Sequence, residues 1–113
     1  MKNYMVIYNA PKNGMQQSDG MSSKDKKKEM EQWHSWANKC GDKLVDMGAP
    51  LTAGITLNPD GNSSDSNNSV VGYSILQAEN MENAKSLMKD HPHLKWNADC
   101  GIEIHETVVM PEM

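Results

Sequence analysis

Residues 70–106 read VVGYSILQAENMENAKSLMKDHPHLKWNADCGIEIHE and contain signals for a strand, a helix, a turn and a second strand in succession. The run Val70–Ala78 is rich in β-branched and other apolar residues, which predicts the first of these strands. Asn80 is a typical helix N-cap, and Pro92 predicts that the helix has ended before it. This helix should bury one apolar stripe, formed by Met81, Ala84, Leu87 and Met88.

The last strand is predicted after a turn at residues 97–101. Side chains alternate between the two faces of a strand, so Ile102 and Ile104, followed by Val108, should point inward. Glu103 and His105, followed by Thr107, should then lie on the opposite face. A carboxylate and an imidazole are therefore expected on the same face of this strand.

The first half of the chain predicts a strand followed by a long helix. Residues 3–9 alternate as a strand does, and the polar residues 10–21 predict a loop. Ser22 or Ser23 can cap a helix that Gly48 ends. Its buried stripe is predicted to consist of Met30, Trp33, Ala37, Cys40, Leu44 and Met47.

The complete order of elements predicts the fold. Residues 52–58 predict a short strand and residues 59–68 a solvated hairpin loop, which gives the order β-α-β-β-α-β in one domain over residues 1–113. That order is typical of the ferredoxin-like arrangement, an α+β fold with two helices on one face of a four-stranded antiparallel sheet. The other face, with Tyr4 or Tyr73 and their neighbours, would expose apolar surface, so we expect a homodimer.

The composition argues against several classes of partner. The 113 residues carry a net charge of −4 and no arginine, so nucleic acid is not expected. The run 26–28 of three lysines is flanked by acidic residues and predicts a solvated helix face. No apolar run approaches the ~20 residues of a membrane span, and Cys40 and Cys100 lack the C-x-x-C spacing. We expect a cytoplasmic protein without a membrane partner.

Several segments taken together resemble the YCII-related domain family. They are YMVIY (4–8), WHSW (33–36), VDMGAPL (45–51), PDG (59–61), GYSI (72–75), HPHL (91–94) and GIEI (101–104). The resemblance implies a small dimeric α/β-barrel protein of ferredoxin-like topology. It also implies a pocket in which some relatives use a histidine and an aspartate on chlorinated lactone-type substrates. The positions that match are His34 with Asp46 or Asp60.

Candidate acid–base chemistry centres on the histidines. His93 and Glu103 are predicted to meet where the second helix approaches the last strand, either as an acid–base pair or as a structural contact that fixes the turn. His34 and Asp46 are the second candidate pair. A divalent metal would need three or four ligands in a fixed geometry. The residue types for one are present in His91, His93, Glu103 and His105, but no spacing fixes that geometry, so we expect no metal and no cofactor.

Aromatic residues supply the candidate ligand-binding surface. Trp33 and Trp36 lie three residues apart on the predicted first helix, so they either wall a cleft for a ring compound or belong to the core and a seal. Tyr73 and His91 complete the predicted binding set. Two functions remain open. One is the binding or acid–base transformation of a small organic molecule between helices and sheet, and the other is a non-catalytic ligand-binding or protein-interaction module.

Overall fold

The structure is a computed structural model, and it describes residues 1–11, 22–51, 54–66, 68–96 and 99–109. Its elements are β1 (Lys2–Asn9), α1 (Ser23–Cys40), a 3₁₀ turn (Gly41–Lys43), β2 (Leu44–Pro50), β3 (Ile55–Leu57), β4 (Ser63–Asp65), β5 (Val70–Ala78), α2 (Met81–Met88), α3 (His93–Trp96) and β6 (Gly101–Glu106). Four strands form an antiparallel sheet in the order β2-β5-β1-β6. The fold is α+β and is compatible with the ferredoxin-like arrangement.

The core lies between the helices and one face of the sheet. Alternate residues of β1 and β5 point into it, as expected for strands covered on one face. Its buried members are Tyr4, Val6, Tyr8, Leu76, Ala78, Trp36, Cys40, Ala84 and Met88. The predicted position of Tyr4 on the uncovered face is therefore wrong, because the pleat of β1 turns Tyr4 toward the helices together with Val6 and Tyr8.

The opposite sheet face, which we call the outward face, carries a mixed surface. Its apolar residues come from the two central strands, and its polar pair comes from the edge strand β6. The members are Met5, Ile7, Tyr73, Ile75, Glu103 and His105. The first four are half-buried and the last two are exposed. The predicted placement of Tyr73, Glu103 and His105 on this face is confirmed.

Helix α1 is shorter than its apolar spacing predicts. The hydroxyl of Ser22 accepts the Asp25 N–H at 3.1 Å and caps the helix, as predicted. Gly41, with φ of 55°, ends the helix at Cys40. The prediction of a helix that continues to Met47 is wrong, because Leu44 pairs with β5 as the first residue of a strand.

The second strand of the main sheet is therefore β2, and it is irregular. Its register with β5 shifts twice, on both sides of Asp46. The carboxylate of Asp46 accepts the N–H of Gly48 at 2.8 Å, and Gly48 has a φ of 80°. This local turn interrupts the regular ladder between β2 and β5, as a β-bulge does.

The strand predicted at residues 52–58 does not belong to the four-stranded sheet. The part of it that the structure describes as strand is β3, which pairs with β4 in a separate hairpin. Ile55 and Leu57 are 67% and 70% exposed, so they do not join the core. Strand β4 lies inside the segment 59–68, which was predicted as a loop.

Near the chain end, β6 stops at Glu106 and Val108 is 82% exposed, so its predicted inward position is wrong. Helix α2 begins and ends as predicted, since the side chain of Asn80 accepts the Asn83 N–H at 2.9 Å and the helix ends before Pro92. Met81 is 37% exposed, so its predicted place in the buried stripe is wrong. The predicted loop at residues 10–21 lies mostly outside the described residues. No helix in the described part of the chain is long and apolar enough to cross a membrane.

Candidate functional site

Five aromatic side chains meet between the helices and β1, and we call them the ring cluster: Tyr8, Trp33, Trp36, His91 and His93. His91 lies at its centre and has no exposed surface. The ring centroid of His91 is 4.2 Å from that of Trp33, 4.3 Å from that of Trp36 and 4.9 Å from that of Tyr8. Both tryptophans approach the imidazole edge to face. The cluster brings together three of the four residues predicted to bind a ligand.

The two tryptophans are held differently. The indole N–H of Trp36 donates to the main-chain oxygen of Leu87 at 2.8 Å, which joins α1 to α2. Trp36 is 5% exposed and is thus part of the core. Trp33 lies one turn earlier and is only half-buried. Its ring centroid is 5.0 Å from that of Tyr8. Trp33 therefore forms the outer wall of the ring cluster.

The hydrogen bonds of His91 fix its tautomer. The main-chain N–H of His93 donates to Nδ1 of His91 at 3.0 Å, so Nδ1 has no proton and the neutral ring carries it on Nε2. Burial, together with a smaller contribution from the neighbouring His93, lowers the pKa of His91 to about 3. Nε2 of His91 is buried without a hydrogen-bond partner among the described residues. His91 is thus a neutral donor at the centre of the cluster.

His93 anchors α3 to the sheet. Its Nε2 lies 2.8 Å from the main-chain oxygen of Asn9 and donates to it. Burial lowers the pKa of His93, although hydrogen bonds to the main chain of Asn9 and Gly101 act in the opposite direction. A 4% exposed imidazole with these bonds explains how the short helix is fixed against β1 and β6.

Glu103, the predicted partner of His93, points to the outward face. Its carboxylate accepts from the side-chain amide of Asn9 at 3.1 Å and lies 3.1 Å from Nε2 of His105. Asn9 is therefore bonded on both sides, by His93 through its main chain and by Glu103 through its side chain. Glu103 and His105 instead form an acid–imidazole pair with direct geometry.

The other candidate pair is not joined. His34 is exposed on α1, and the carboxylate of Asp46 is used in the turn with Gly48. No hydrogen bond or ion pair links His34 to Asp46 within the residues that the structure describes. Tyr73 faces the opposite side of the sheet from the ring cluster. The same part of the chain contains no group of three potential metal ligands.

A buried hydroxyl chain adjoins the ring cluster and was not predicted. The hydroxyl of Ser74 donates to the main-chain oxygen of Met47 at 2.7 Å. Since Ser74 has only one hydroxyl proton, the Tyr8 hydroxyl must be the donor in its 2.7 Å contact with Ser74. Burial raises the pKa of Tyr8 to about 12, so the phenol stays protonated. A serine at an inward position of an apolar strand is the signal that could have revealed this chain.

We expect Ser74→Ala to lower the free energy of unfolding by about 2 kcal/mol, because it removes the hydrogen bonds that join the Ser74 hydroxyl to the Tyr8 hydroxyl and to the Met47 carbonyl. The same change in a Tyr8→Phe background should have a smaller effect, since only the bond to the carbonyl is then lost. Urea denaturation of the four proteins of this cycle measures the difference. Equal effects in both backgrounds would contradict the bond between Tyr8 and Ser74.

Comparison with known proteins adds no identification. No protein-family model and no curated protein matches this chain. The resemblance to the YCII-related domain family thus stays a prediction from its sequence segments.

Proposed function

We propose that this chain is a YCII-related protein of ferredoxin-like topology that binds a small organic molecule between its helices and its sheet. The observation that supports the proposal is that the Nε2–H of His91, inside the ring cluster, has no hydrogen-bond partner among the residues that the structure describes. A buried polar group without a partner costs about 1–3 kcal/mol, so native proteins keep few of them. A ligand oxygen would complete this donor, and the surrounding rings would contact the rest of a planar molecule.

Trp33 is the side chain that can admit the molecule. It is half-buried and makes no hydrogen bond within the described residues, whereas Trp36 is bonded to Leu87. A ring compound that displaces the Trp33 indole would contact Tyr8 and His91 in its place. Binding would therefore exchange one aromatic contact for another and add one hydrogen bond.

The role of His91 in this proposal is recognition. A pKa of about 3 makes the imidazole a weak base near neutral pH, and its only unprotonated nitrogen is already bonded to the N–H of His93. Proton transfer would instead need an accessible histidine with a carboxylate beside it. The pair Glu103 and His105 has that geometry on the outward face. Reversible binding is therefore the function that we assign to the ring cluster.

A binding screen tests the proposal. Thermal shift and tryptophan fluorescence would be recorded with a panel of aromatic ketones, lactones and acids on the wild type, His91→Leu and His34→Ala. We expect a compound that raises the melting temperature of the wild type and of His34→Ala but not that of His91→Leu. His34 is the matched control because it is exposed on the helix that carries Trp33. An equal response of all three proteins, or no response of the wild type, would contradict the proposal.

The second candidate function is recognition of a protein at the outward face. Four half-buried apolar side chains lie together there, namely Met5, Ile7, Tyr73 and Ile75. We propose that a second copy of the chain covers them and forms the dimeric barrel, because stacked sheets bury such faces. The alternative is that another protein covers this face.

Sedimentation velocity distinguishes these occupants. Ile7→Glu places a charge at the centre of the outward face, whereas Lys27→Glu reverses a charge on the exposed surface of α1. We expect a dimer for the wild type and for Lys27→Glu, and a folded monomer for Ile7→Glu. A wild type that is monomeric would contradict the homodimer and leave a different protein as the partner.

A further inference from the structure

The tautomer of His91 limits what the ring cluster can bind. Because the N–H of His93 occupies Nδ1, the imidazole can offer its surroundings only the proton on Nε2. A metal ion or an ammonium group would need a lone pair at that position, and the fixed tautomer has none there. The partner of Nε2 must therefore be a hydrogen-bond acceptor.

The charge of the ring cluster limits the acceptor further. Tyr8 remains a neutral phenol, since burial raises its pKa to about 12, and burial lowers the pKa of both His91 and His93. Trp33 and Trp36 carry no charge. None of the five rings is then cationic near neutral pH. Burial of a carboxylate against these rings is unfavourable, because none of the five supplies a counterion for its charge.

We infer that the ring cluster takes a planar, uncharged ring compound whose carbonyl oxygen accepts the Nε2–H of His91. This inference depends on the proposed function and specifies the class of ligand at the same site. The π face of a tryptophan is only a weak acceptor for Nε2–H, since an N–H contact with a π system is weaker than a bond to a carbonyl oxygen. The carbonyl supplies the stronger acceptor that the described part of the chain does not provide at this atom.

A series of probes that share one phenyl ring tests the class of ligand. Acetophenone carries a neutral carbonyl, benzoate an anion, benzylamine a cation, and ethylbenzene has no polar group. We expect acetophenone to bind at least about tenfold more tightly than each of the other three, which is the ratio that one hydrogen bond typically provides. Zinc ion alone should not bind at this site. Isothermal titration with the wild type measures all five.

Nuclear magnetic resonance of the wild type makes the test independent of any variant. In protein labelled with ¹⁵N-histidine, His91 should show the proton on Nε2, and acetophenone should move this resonance downfield while benzylamine leaves it unchanged. His91→Gln keeps an N–H donor and should retain more acetophenone binding than His91→Leu. A proton found on Nδ1 instead, or a resonance that acetophenone does not move, would overturn the inference.

The outcomes distinguish a wrong ligand class from a wrong proposed function. Equal binding of acetophenone, ethylbenzene and benzylamine would overturn the carbonyl class while it supports a ring-binding site. Tighter binding of benzoate would overturn the neutral class and would point to a cation near His91. No binding of any phenyl compound, with an unchanged Nε2 resonance throughout, would overturn both the inference and the proposed function.

Discussion

Gly48→Ala is expected to destabilise the protein by about 3 kcal/mol or more, or to prevent folding. A β-carbon at this position would overlap the carbonyl oxygen of Tyr73 and lie 2.6 Å from its carbonyl carbon. These are main-chain atoms of β5, so they cannot move aside without breaking the ladder between β2 and β5. The φ of 80° adds the strain that any side chain meets in this region.

Gly61→Ala is the matched control. Gly61 has a φ of 90°, but a β-carbon there meets nothing within 4 Å. We expect Gly61→Ala to lower the free energy of unfolding by only about 1 kcal/mol, which is the effect of backbone strain without overlap. Denaturant titration of both variants separates overlap from backbone strain. Equal losses in the two variants would contradict the close approach of β2 to Tyr73.

The boundary between α1 and β2 is the part of the fold that the sequence does not reveal. Alternation predicted β1 and β5 correctly, because each strand is covered by helices on one face and its residues follow a period of two. Leu44 and Met47 continue the helical spacing of α1, yet they lie in β2. The apolar period alone cannot end a helix, and the residue that does so is Gly41, whose positive φ is a property of the folded chain.

The site could be predicted in part for a similar reason. Trp33, Trp36 and His91 were predicted as ligand-binding residues, and the structure brings them together in the ring cluster. Tyr8 and Ser74 were missed because their contact joins residues 66 positions apart, which only the pairing of β1 with β5 brings together. Local patterns predict the face on which a residue lies, whereas its partners across the sheet depend on topology.

Glu103 and His105 illustrate the same limit. The alternation of β6 predicted that both lie on the outward face, and they do. The predicted partner of Glu103 was His93, because the turn that carries His93 lies close to β6 in the sequence. In the structure the imidazole of His93 donates a hydrogen bond to the main-chain oxygen of Asn9 instead, because α3 packs on the helix side of the sheet. One face of a strand could be predicted from sequence, but the choice between two nearby histidines could not.

Acid should destabilise the protein through His91. The pKa of this histidine falls from 6.5 to about 3 on folding, mainly through burial, so between these values the unfolded chain binds the proton and the folded chain does not. Its contribution to stability is therefore complete above pH 6.5 and is lost progressively as the pH falls toward 3. Between pH 7 and pH 4 this loss should amount to about 3 kcal/mol. The lowered pKa of His93 acts in the same direction.

Urea denaturation at several pH values measures this loss, and two variants isolate its source. His91→Gln removes the buried titrating group but leaves the carboxylates unchanged, so its stability should fall less steeply between pH 7 and pH 4 than that of the wild type. His34→Gln removes an exposed histidine and should retain the wild-type slope. The difference between the wild-type and His91→Gln slopes measures the protonation of His91 alone. If the two slopes were equal, the imidazole would have to accept a proton in the folded state, and the bond from the His93 N–H to Nδ1 could not be present.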